Sequence, residues 1–394
     1  MEGIVGMNVL ILSHHFYPFI GGLEEVAFQQ ARHLAMNGHD VNVITSNISN
    51  ELEELPKEEE IDGVKIYRIS AMNFLYKNFD IPQPVFNIFE LRNKLNNLIK
   101  TADVVHIHDR HYMTSFMGSL MAKKHKKPVV LTLHTPRVKY GNKLYNFLFQ
   151  LNEMISSYSI KKADAILSLG SEVHDYILER FGRESEIVWN GVDIDTFSPV
   201  SEYEKIKLRA DMKLPEEKFI ALFVGRLTFK KGADLLVEVA KNLRDHEDVE
   251  IIVVGDGPRR KLIEKNIKNN DINNIKLIGN VVDKRILSKF YRSADILLFT
   301  SRGGEAAAPL VLLEAMASSL PIVALRTGPY ADLISKGKGY AVSTINEMSD
   351  KIIYLSGEAD LMNELSLKCR KYAEKYSWSK NVDELLEIYS NLTK

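Results

Sequence analysis

Residues 219–232 have the sequence FIALFVGRLTFKKG, and this stretch decides the fold. Its apolar residues predict a buried strand, Gly225 ends that strand, and two cations, Arg226 and Lys231, follow five positions apart. A short, continuously apolar strand is typical of a parallel sheet that is covered on both faces. The stretch therefore predicts a strand inside an α/β domain and a positively charged loop at the carboxyl end of that strand.

Apolar runs of the same kind recur on both sides of this stretch, with amphipathic segments between them. The alternation predicts parallel sheets, and its two successive series predict two doubly wound units in tandem, joined around residues 191–215. A ligand is then expected at the carboxyl ends of the strands, in the cleft between the units. The predicted strands are 9–12, 41–45, 104–108, 129–133 and 165–169 in the first unit, and 219–224, 251–254, 276–278, 296–299 and 322–324 in the second.

The composition is that of an ordinary globular protein with two domains. The chain has 394 residues and a formal net charge of −1, so its overall charge does not favour a nucleic-acid partner. The lone cysteine, Cys369, excludes an internal disulfide framework and favours a reducing compartment. No apolar run reaches the roughly 18 to 20 residues that cross a bilayer, and residues 1–6 lack the pattern of a signal peptide. A cytoplasmic location is therefore expected.

The loop at residues 225–232 offers two cations to a phosphate group. A nucleoside diphosphate gains negative charge as its bond to a sugar breaks, and Arg226 and Lys231 could stabilise that charge without a metal. A solvated basic loop explains the same residues about as well.

A second motif, EAAAPLVLLEAMA at residues 305–317, predicts a helix that begins at Pro309. The free amides of Leu310 and Val311 would form an anion site at the helix N-terminus. Glu314, about one turn later, could accept hydrogen bonds from two ribose hydroxyls. An ordinary amphipathic helix with an acidic residue near its start is the alternative.

Two weaker signals lie in the first half of the chain. Gly21 and Gly22 precede a predicted helix and would let the backbone approach a phosphate, although an ordinary turn explains them too. His106 and His108 end a predicted strand on one face, where a histidine could position substrate or relay a proton. A hydrogen-bonded structural histidine is the alternative.

Taken in order, these motifs resemble those of the retaining GT-B glycosyltransferases of family 4, over about residues 7–389. The resemblance implies an α/β protein of two Rossmann-like domains facing each other across a cleft. It also implies transfer of a hexose with retention from a UDP- or GDP-sugar to a sugar, glycolipid or polysaccharide acceptor. The motifs are YPFIGGLEE at 17–25, HIH at 106–108, NGVD at 190–193 with Phe197, GRLTFKKG at 225–232, GDGP at 255–258 and PLVLLEAMA at 309–317.

The resemblance assigns roles to single residues. Arg226 and Lys231 match the pair that binds the donor diphosphate, Glu314 matches the glutamate on the nucleotide ribose, and His108 matches the histidine near the transferred sugar. The catalytic set is then His108, Arg226, Lys231 and Glu305. The donor-binding set is Gly21, Gly22, Arg226, Lys231, Gly255, Val281, Glu305, Pro309, Leu310, Val311 and Glu314. No metal and no cofactor are expected, and the acidic pair at 193–195 is interpreted as structural.

The sequence departs from the family pattern at one position. The family has two glutamates separated by seven residues, and counting back from Glu314 places Ala306 in the first slot. The nearest acid is Glu305, one residue early. Either the loop at Gly303 and Gly304 bulges so that Glu305 reaches the donor sugar, or the sugar contact is lost.

The resemblance also predicts the division of the chain. Residues 1–198 would form the acceptor-binding domain, residues 199–376 the nucleotide-sugar-binding domain, and residues 377–394 a helix that crosses back to the N-terminal domain. Residues 110–162 hold ten lysines and arginines and one acid, an excess of nine, beside an amphipathic helix predicted at 142–159. This pattern predicts peripheral contact with the inner face of a membrane. Packing of the apolar stripe on the sheet is the alternative.

Two other functions stay open at this point. One is a sugar-nucleotide epimerase of the UDP-N-acetylglucosamine 2-epimerase kind, and the other is a sugar-nucleotide-binding subunit that has lost catalysis. The residues also leave open the donor sugar, its base (UDP, GDP or ADP), the acceptor and the oligomeric state.

Overall fold

The structure is a computed structural model that describes residues 6–19, 21–49, 53–72, 83–134, 153, 155–303 and 309–394. Its strands are β1 Asn8–Leu12, β2 Asp40–Ser46, β3 Glu58–Ile61, β4 Val64–Ile69, β5 Ala71–Met72, β6 Val85–Phe86, β7 Val104–His108, β8 Val129–Leu133, β9 Ala165–Ser168, β10 Glu186–Ile187, β11 Phe219–Val224, β12 Val249–Val254, β13 Ile275–Gly279, β14 Ile296–Phe299, β15 Ile322–Leu325 and β16 Gly339–Val342.

Helices alternate with these strands, and residues 155–162 are also helical. The helices are α1 Gly22–Met36, α2 Ile88–Thr101, α3 Met113–Lys124, α4 Ser171–Phe181, α5 Glu202–Asp211, α6 Leu235–Asn242, α7 Arg260–Asn269, α8 Lys284–Ser293, α9 Leu310–Ala317, α10 Tyr330–Ser335, α11 Ile345–Ser356, α12 Ala359–Ala373 and α13 Trp378–Thr393. Within the described part of the chain, none of these helices has both the length and the apolar character needed to span a bilayer.

Packing divides the chain into two compact units. Unit 1 consists of Met1–Asn190 with Trp378–Lys394, and unit 2 consists of Gly191–Ser377. The last helix, α13, is thus part of unit 1, although unit 2 precedes it along the chain. Its apolar stripe, which includes Val382 and Leu385, packs in the same core as α1.

Unit 1 is built on an eight-stranded sheet in the order β10-β9-β8-β7-β1-β2-β4-β3. Among the described strands of this sheet, only β3 runs antiparallel to its neighbour, in a hairpin with β4. Successive residues of β1 enter different cores, because Leu10 packs on one face of the sheet and Val9 on the other. The strand order reverses at β1, which pairs with β2 on one side and β7 on the other. The carboxyl ends of β1 and β7 are therefore the place where a ligand is expected.

Unit 2 contains a six-stranded parallel sheet in the order β13-β12-β11-β14-β15-β16. Its strand order reverses at β11, which pairs with β12 and β14. The fold class predicted from the sequence, α/β with parallel sheets in two tandem units, is confirmed. The β3–β4 hairpin and β16 were not predicted, because they lack a continuous apolar run. Strand β3 is EEEI, the apolar residues of β4 are interrupted by Lys65 and Arg68, and β16 begins at Gly339.

Candidate functional site

In unit 2, the loop after β11 lies directly against the loop after β12. The Leu227 amide donates to the Asp256 carbonyl at 2.9 Å, and the Arg259 amide donates to the Leu227 carbonyl at 3.0 Å. Gly255 has a φ of +141°, and a Cβ there would lie 2.0 Å from the Gly225 carbonyl oxygen. Only glycine allows this close approach, so Gly255 acts by letting the two loops meet.

The two predicted cations both lie at this carboxyl edge of the sheet. Arg226 is exposed and Lys231 is partly buried. The Lys231 amide donates to the Thr228 hydroxyl at 3.3 Å, which turns the backbone between the two cations. The structure thus places Arg226 and Lys231 on one loop at the point where the strand order of unit 2 reverses. Binding of a diphosphate to them stays a prediction.

Helix α9 begins at Leu310, and the prediction that Pro309 is its first helical residue is wrong. Pro309 is the N-cap, because its ψ of 141° is extended. Its carbonyl accepts the amides of Leu312, at 3.0 Å, and Leu313, at 3.3 Å. The amides of Leu310 and Val311 come before Leu312 in the chain, in the first turn of the helix. They stay candidates for binding an anion at the helix N-terminus.

Glu314 is buried in unit 2 and held by two donors from helix α8. Lys284 Nζ lies 2.7 Å from Glu314 Oε1, and the Tyr291 hydroxyl lies 2.9 Å from Glu314 Oε2. Burial, and then the nearby carboxylate, hold the pKa of Tyr291 well above its usual value, so the hydroxyl stays protonated and donates. A carboxylate oxygen can accept more than one hydrogen bond, so Glu314 keeps acceptor capacity, and its contact with ribose hydroxyls stays a prediction.

Of the other donor-binding candidates in unit 2, the structure describes Val281 but not Glu305. Val281 is partly buried in the loop between β13 and α8. Glu305 and Ala306 lie outside the described residues, so which of them faces the donor sugar stays a prediction. The Asp193 side chain accepts the amides of Asp195, at 3.1 Å, and Thr196, at 3.0 Å, which is a structural turn.

In unit 1, the two glycines lie at the start of α1. Gly21 is the N-cap, and apart from the chain neighbours of Gly22 and the backbone of its own helix, no described atom lies within 4 Å of the position that a Cβ of Gly22 would take. The Glu24 carboxyl folds back over this helix terminus, since its Oε2 lies 2.1 Å from the position of a Cβ on Gly21. Burial is the main cause that raises the pKa of Glu24, to about 7. His14, which was not predicted, lies 3.4 Å from the same carboxyl.

Histidines surround the carboxyl ends of β7 and β8. His108 is fully buried, and its Nδ1 lies 3.1 Å from Nε2 of His134, a residue that sequence reasoning missed. The neighbouring His106 is held between the Thr132 hydroxyl, at 2.7 Å, and the Tyr389 hydroxyl of α13, at 2.6 Å. Burial, and then the surrounding histidines, hold the pKa of His108 well below its usual value, so its ring is neutral. A neutral ring can orient a ligand by hydrogen bonding, and the predicted contact with the sugar stays a prediction.

His14 and His134 share a signal that could have found them. Each follows a buried strand directly or by one residue, at the end where ligands bind in parallel sheets. The signal is weak because only the fold decides which strand ends are adjacent.

Each half of the chain matches a known protein family. Residues 20–196 match glycosyltransferase family 4, and residues 204–376 match the glycosyl transferases group 1. An uncharacterized glycosyltransferase of Methanocaldococcus jannaschii is 25% identical over 395 residues, which cover 97% of this chain and 98% of that protein. The D-inositol 3-phosphate glycosyltransferase of Xylanimonas cellulosilytica is 25% identical over 421 residues, which cover 100% of this chain and 99% of that protein.

Solved structures share the fold over nearly the whole chain. The Anabaena protein HepE in complex with UDP has a TM-score of 0.78 and 17% identity, with 98% of this chain and 100% of that chain covered. The same protein has also been solved with UDP-glucose. At this identity the likeness shows the fold, which is the GT-B arrangement of two Rossmann-like domains in one chain.

Proposed function

The chain belongs to the group 1, family 4 glycosyltransferases, and we propose that it transfers a hexose from a UDP- or GDP-sugar with retention and without a metal. The acceptor in this proposal is a sugar, a glycolipid or a polysaccharide. Membership in a family of transferases favours this reaction over the epimerase alternative.

One observation carries the proposal: two cations and a buried, oriented carboxylate lie beside the carboxyl edge of one parallel sheet. Arg226 and Lys231 follow β11, and Glu314 lies about one turn inside α9. When the bond between the sugar C1 and the phosphate oxygen breaks, the electron pair stays on that oxygen and the nucleoside diphosphate becomes more negative. Two cations on this loop stabilise this charge more in the transition state than in the substrate, which is what lowers the barrier.

The donor orientation follows from the same residues. Glu314 would accept the ribose hydroxyls while the N-terminus of α9 and the two cations take the phosphates. The UDP-glucose complex of HepE supports a nucleotide-sugar donor for this chain, because the two proteins share the fold along their whole length.

We assign the acceptor to unit 1. The Xylanimonas relative is named for inositol phosphate, a polyol whose hydroxyl groups resemble those of a sugar acceptor. The buried histidines near β7 and β8 offer neutral hydrogen-bonding groups rather than charges, which suits a hydroxylated ligand. We also propose a cytoplasmic location, with peripheral membrane contact through residues 110–162 if the acceptor is lipid-linked.

Product analysis tests this proposal. The protein is incubated with a panel of UDP-, GDP- and ADP-sugars and simple sugar or inositol-phosphate acceptors, and the anomeric configuration of each product is read by NMR. A product with the configuration of the donor supports retention. A product of inverted configuration overturns it, and an epimerised donor without transfer overturns the transferase assignment.

A further inference from the structure

Residues 225–232, here called the diphosphate loop, present three successive carbonyl groups that are all bound by the three residues that follow β14. Arg302 donates from its Nη1 to the Phe229 carbonyl at 2.8 Å, and its backbone amide donates to the Lys230 carbonyl at 2.8 Å. The Ser301 hydroxyl donates to the same Lys230 carbonyl at 3.3 Å, and the Thr300 hydroxyl donates to the Lys231 carbonyl at 3.0 Å. The backbone that carries Lys231 is therefore fixed to the end of the neighbouring strand.

The next residue of the loop shows how closely the two segments approach. Gly232 has a φ of +66°, and a Cβ there would lie 2.0 Å from the Thr300 carbonyl oxygen. Any side chain at this position would push the loop away from the strand end. The close contact between the loop and the strand end thus depends on residues of both segments, Gly232 in the loop and Thr300 after β14.

The Arg302 guanidinium is itself held in place. Its Nη1 lies 2.7 Å from Asp234 Oδ1 and its Nη2 lies 2.8 Å from Asp234 Oδ2, which is a bidentate pair. The guanidinium carbon lies 4.1 Å from the centre of the Phe229 ring, although that side chain is 55% exposed. Partial burial raises the pKa of Asp234, but the hydrogen bond and charge of Arg302 outweigh this and lower it. The carboxylate and the guanidinium therefore both stay charged.

We propose that Arg302, oriented by Asp234, is a positioning residue that presets the diphosphate loop so that Lys231 meets the β-phosphate of the donor. The inference rests on the proposed function. A lysine side chain is flexible, and ordering both its side chain and its loop on binding would cost affinity. With the loop backbone already fixed, only the side chain has to be ordered. Arg302 performs this because its planar fork bonds Phe229 and Asp234 at once, which an ammonium group cannot reproduce.

The inference predicts that changing Arg302 weakens the binding of nucleoside diphosphates but not that of monophosphates, which lack the second phosphate. Uridine, guanosine and adenosine diphosphates and their monophosphates are titrated by calorimetry, and the nucleotide that the unmodified protein binds most tightly is chosen. Arg302→Lys is expected to weaken diphosphate binding roughly tenfold and to change monophosphate binding by less than about twofold. The monophosphate depends on the ribose contact at Glu314, which Arg302 does not touch.

Asp234→Asn distinguishes an effect of loop positioning on diphosphate binding from an effect of the local charge alone. Removing a negative charge near the loop would strengthen diphosphate binding if only electrostatics mattered. Positioning by Arg302 predicts weaker diphosphate binding instead, because an amide at position 234 binds the guanidinium less strongly and lets the loop move. Arg244→Met is the matched control, because Arg244 also bonds a backbone carbonyl, that of Asn270, but lies at the amino-terminal edge of the same sheet.

The inference holds if both variants lower the ratio of diphosphate to monophosphate affinity while their melting temperatures match that of Arg244→Met. It is overturned if that ratio is unchanged in Arg302→Lys, or if Asp234→Asn binds the diphosphate more tightly. If the unmodified protein binds none of the diphosphates, the proposed function fails, and this inference fails with it.

Discussion

The hydroxyl of Tyr291 donates a 2.9 Å hydrogen bond to Glu314 Oε2, and both side chains are buried. Lys284 binds the other carboxylate oxygen from the first residue of the same helix, α8. Phe197 packs edge-on against Tyr291, with 5.4 Å between ring centres. The carboxylate proposed to bind the ribose is therefore oriented by residues that are far from it in the sequence.

Tyr291→Phe removes one of these two donors. We expect monophosphate and diphosphate binding to weaken by the same factor, about tenfold, because the ribose contact serves both ligands. Calorimetric titration of both nucleotides measures this, with Tyr354→Phe, on the exposed surface of α11, as the control. Unchanged affinities would show that Glu314 does not depend on Tyr291, or does not bind the ribose.

Arg226→Ala and Lys231→Ala are each expected to lower turnover by on the order of 10²–10³, because each removes a cation that is proposed to stabilise the leaving diphosphate. The fold should survive, since neither side chain is fully buried. The steady-state rate of sugar transfer measures the effect. Lys241→Ala, on the exposed side of α6, is the matched control. Turnover near that of the unmodified protein in both variants would refute the assignment.

Unit 1 is expected to lose stability in mild acid. Burial, as the largest cause in each case, lowers the pKa of His15, His106 and His134 to about 3. The unfolded chain binds these protons below its ordinary histidine pKa of about 6.5, whereas the native state does not bind them until about pH 3. Stability is therefore lost as the pH falls through this window, by up to about 1.4 kcal/mol per pH unit for each histidine.

Tryptophan fluorescence can follow this loss of stability. Trp189 and Trp378, which account for both tryptophans of the chain, belong to unit 1. Denaturant titrations between pH 7.5 and 4.5 should show the tryptophan fluorescence transition moving to lower denaturant faster than the circular dichroism of the whole chain. A fluorescence midpoint that is the same at pH 7 and pH 5 contradicts the prediction.

Membrane contact stays a prediction, because most of the amphipathic helix expected at 142–159 lies outside the described residues. If the prediction holds, the protein co-sediments with anionic vesicles at low salt and is released at high salt. Replacing the exposed Lys161 and Lys162 by glutamine should weaken binding by about 1 kcal/mol per lysine. Equal binding to neutral vesicles, or none to anionic vesicles at low salt, would point to a soluble acceptor.

The sequence predicted those features of the fold that depend on a local pattern of residues. The apolar runs of β1 and β11 and the glycine at the end of β11 identify the two sheets, because period and turn chemistry are visible within a few residues. The predicted start of α9 is one residue early, because proline is common at the first helical position, whereas Pro309 has an extended ψ and is the N-cap. Glu314 was predicted, but its partners Lys284 and Tyr291 were not.

Those partners, like the Arg302–Asp234 pair, come together only when separate elements pack. Asp234 and Arg302 lie 68 positions apart, on loops that follow different strands, and no periodic pattern links them. His134 was missed for the same reason, because its place beside His108 follows from the pairing of β7 with β8. Motifs thus predict which residues carry chemistry, while the residues that orient them emerge from the fold.

The most direct test of the central claim is release of nucleoside diphosphate from a panel of nucleotide sugars in the presence of excess EDTA. We expect the unmodified protein to release the diphosphate from one UDP- or GDP-sugar at a rate that EDTA does not lower, because Arg226 and Lys231 are proposed to neutralise the leaving group. Release should fall to background in Lys231→Ala. No release from any donor, or release that disappears with EDTA and returns with a divalent cation, would contradict the account.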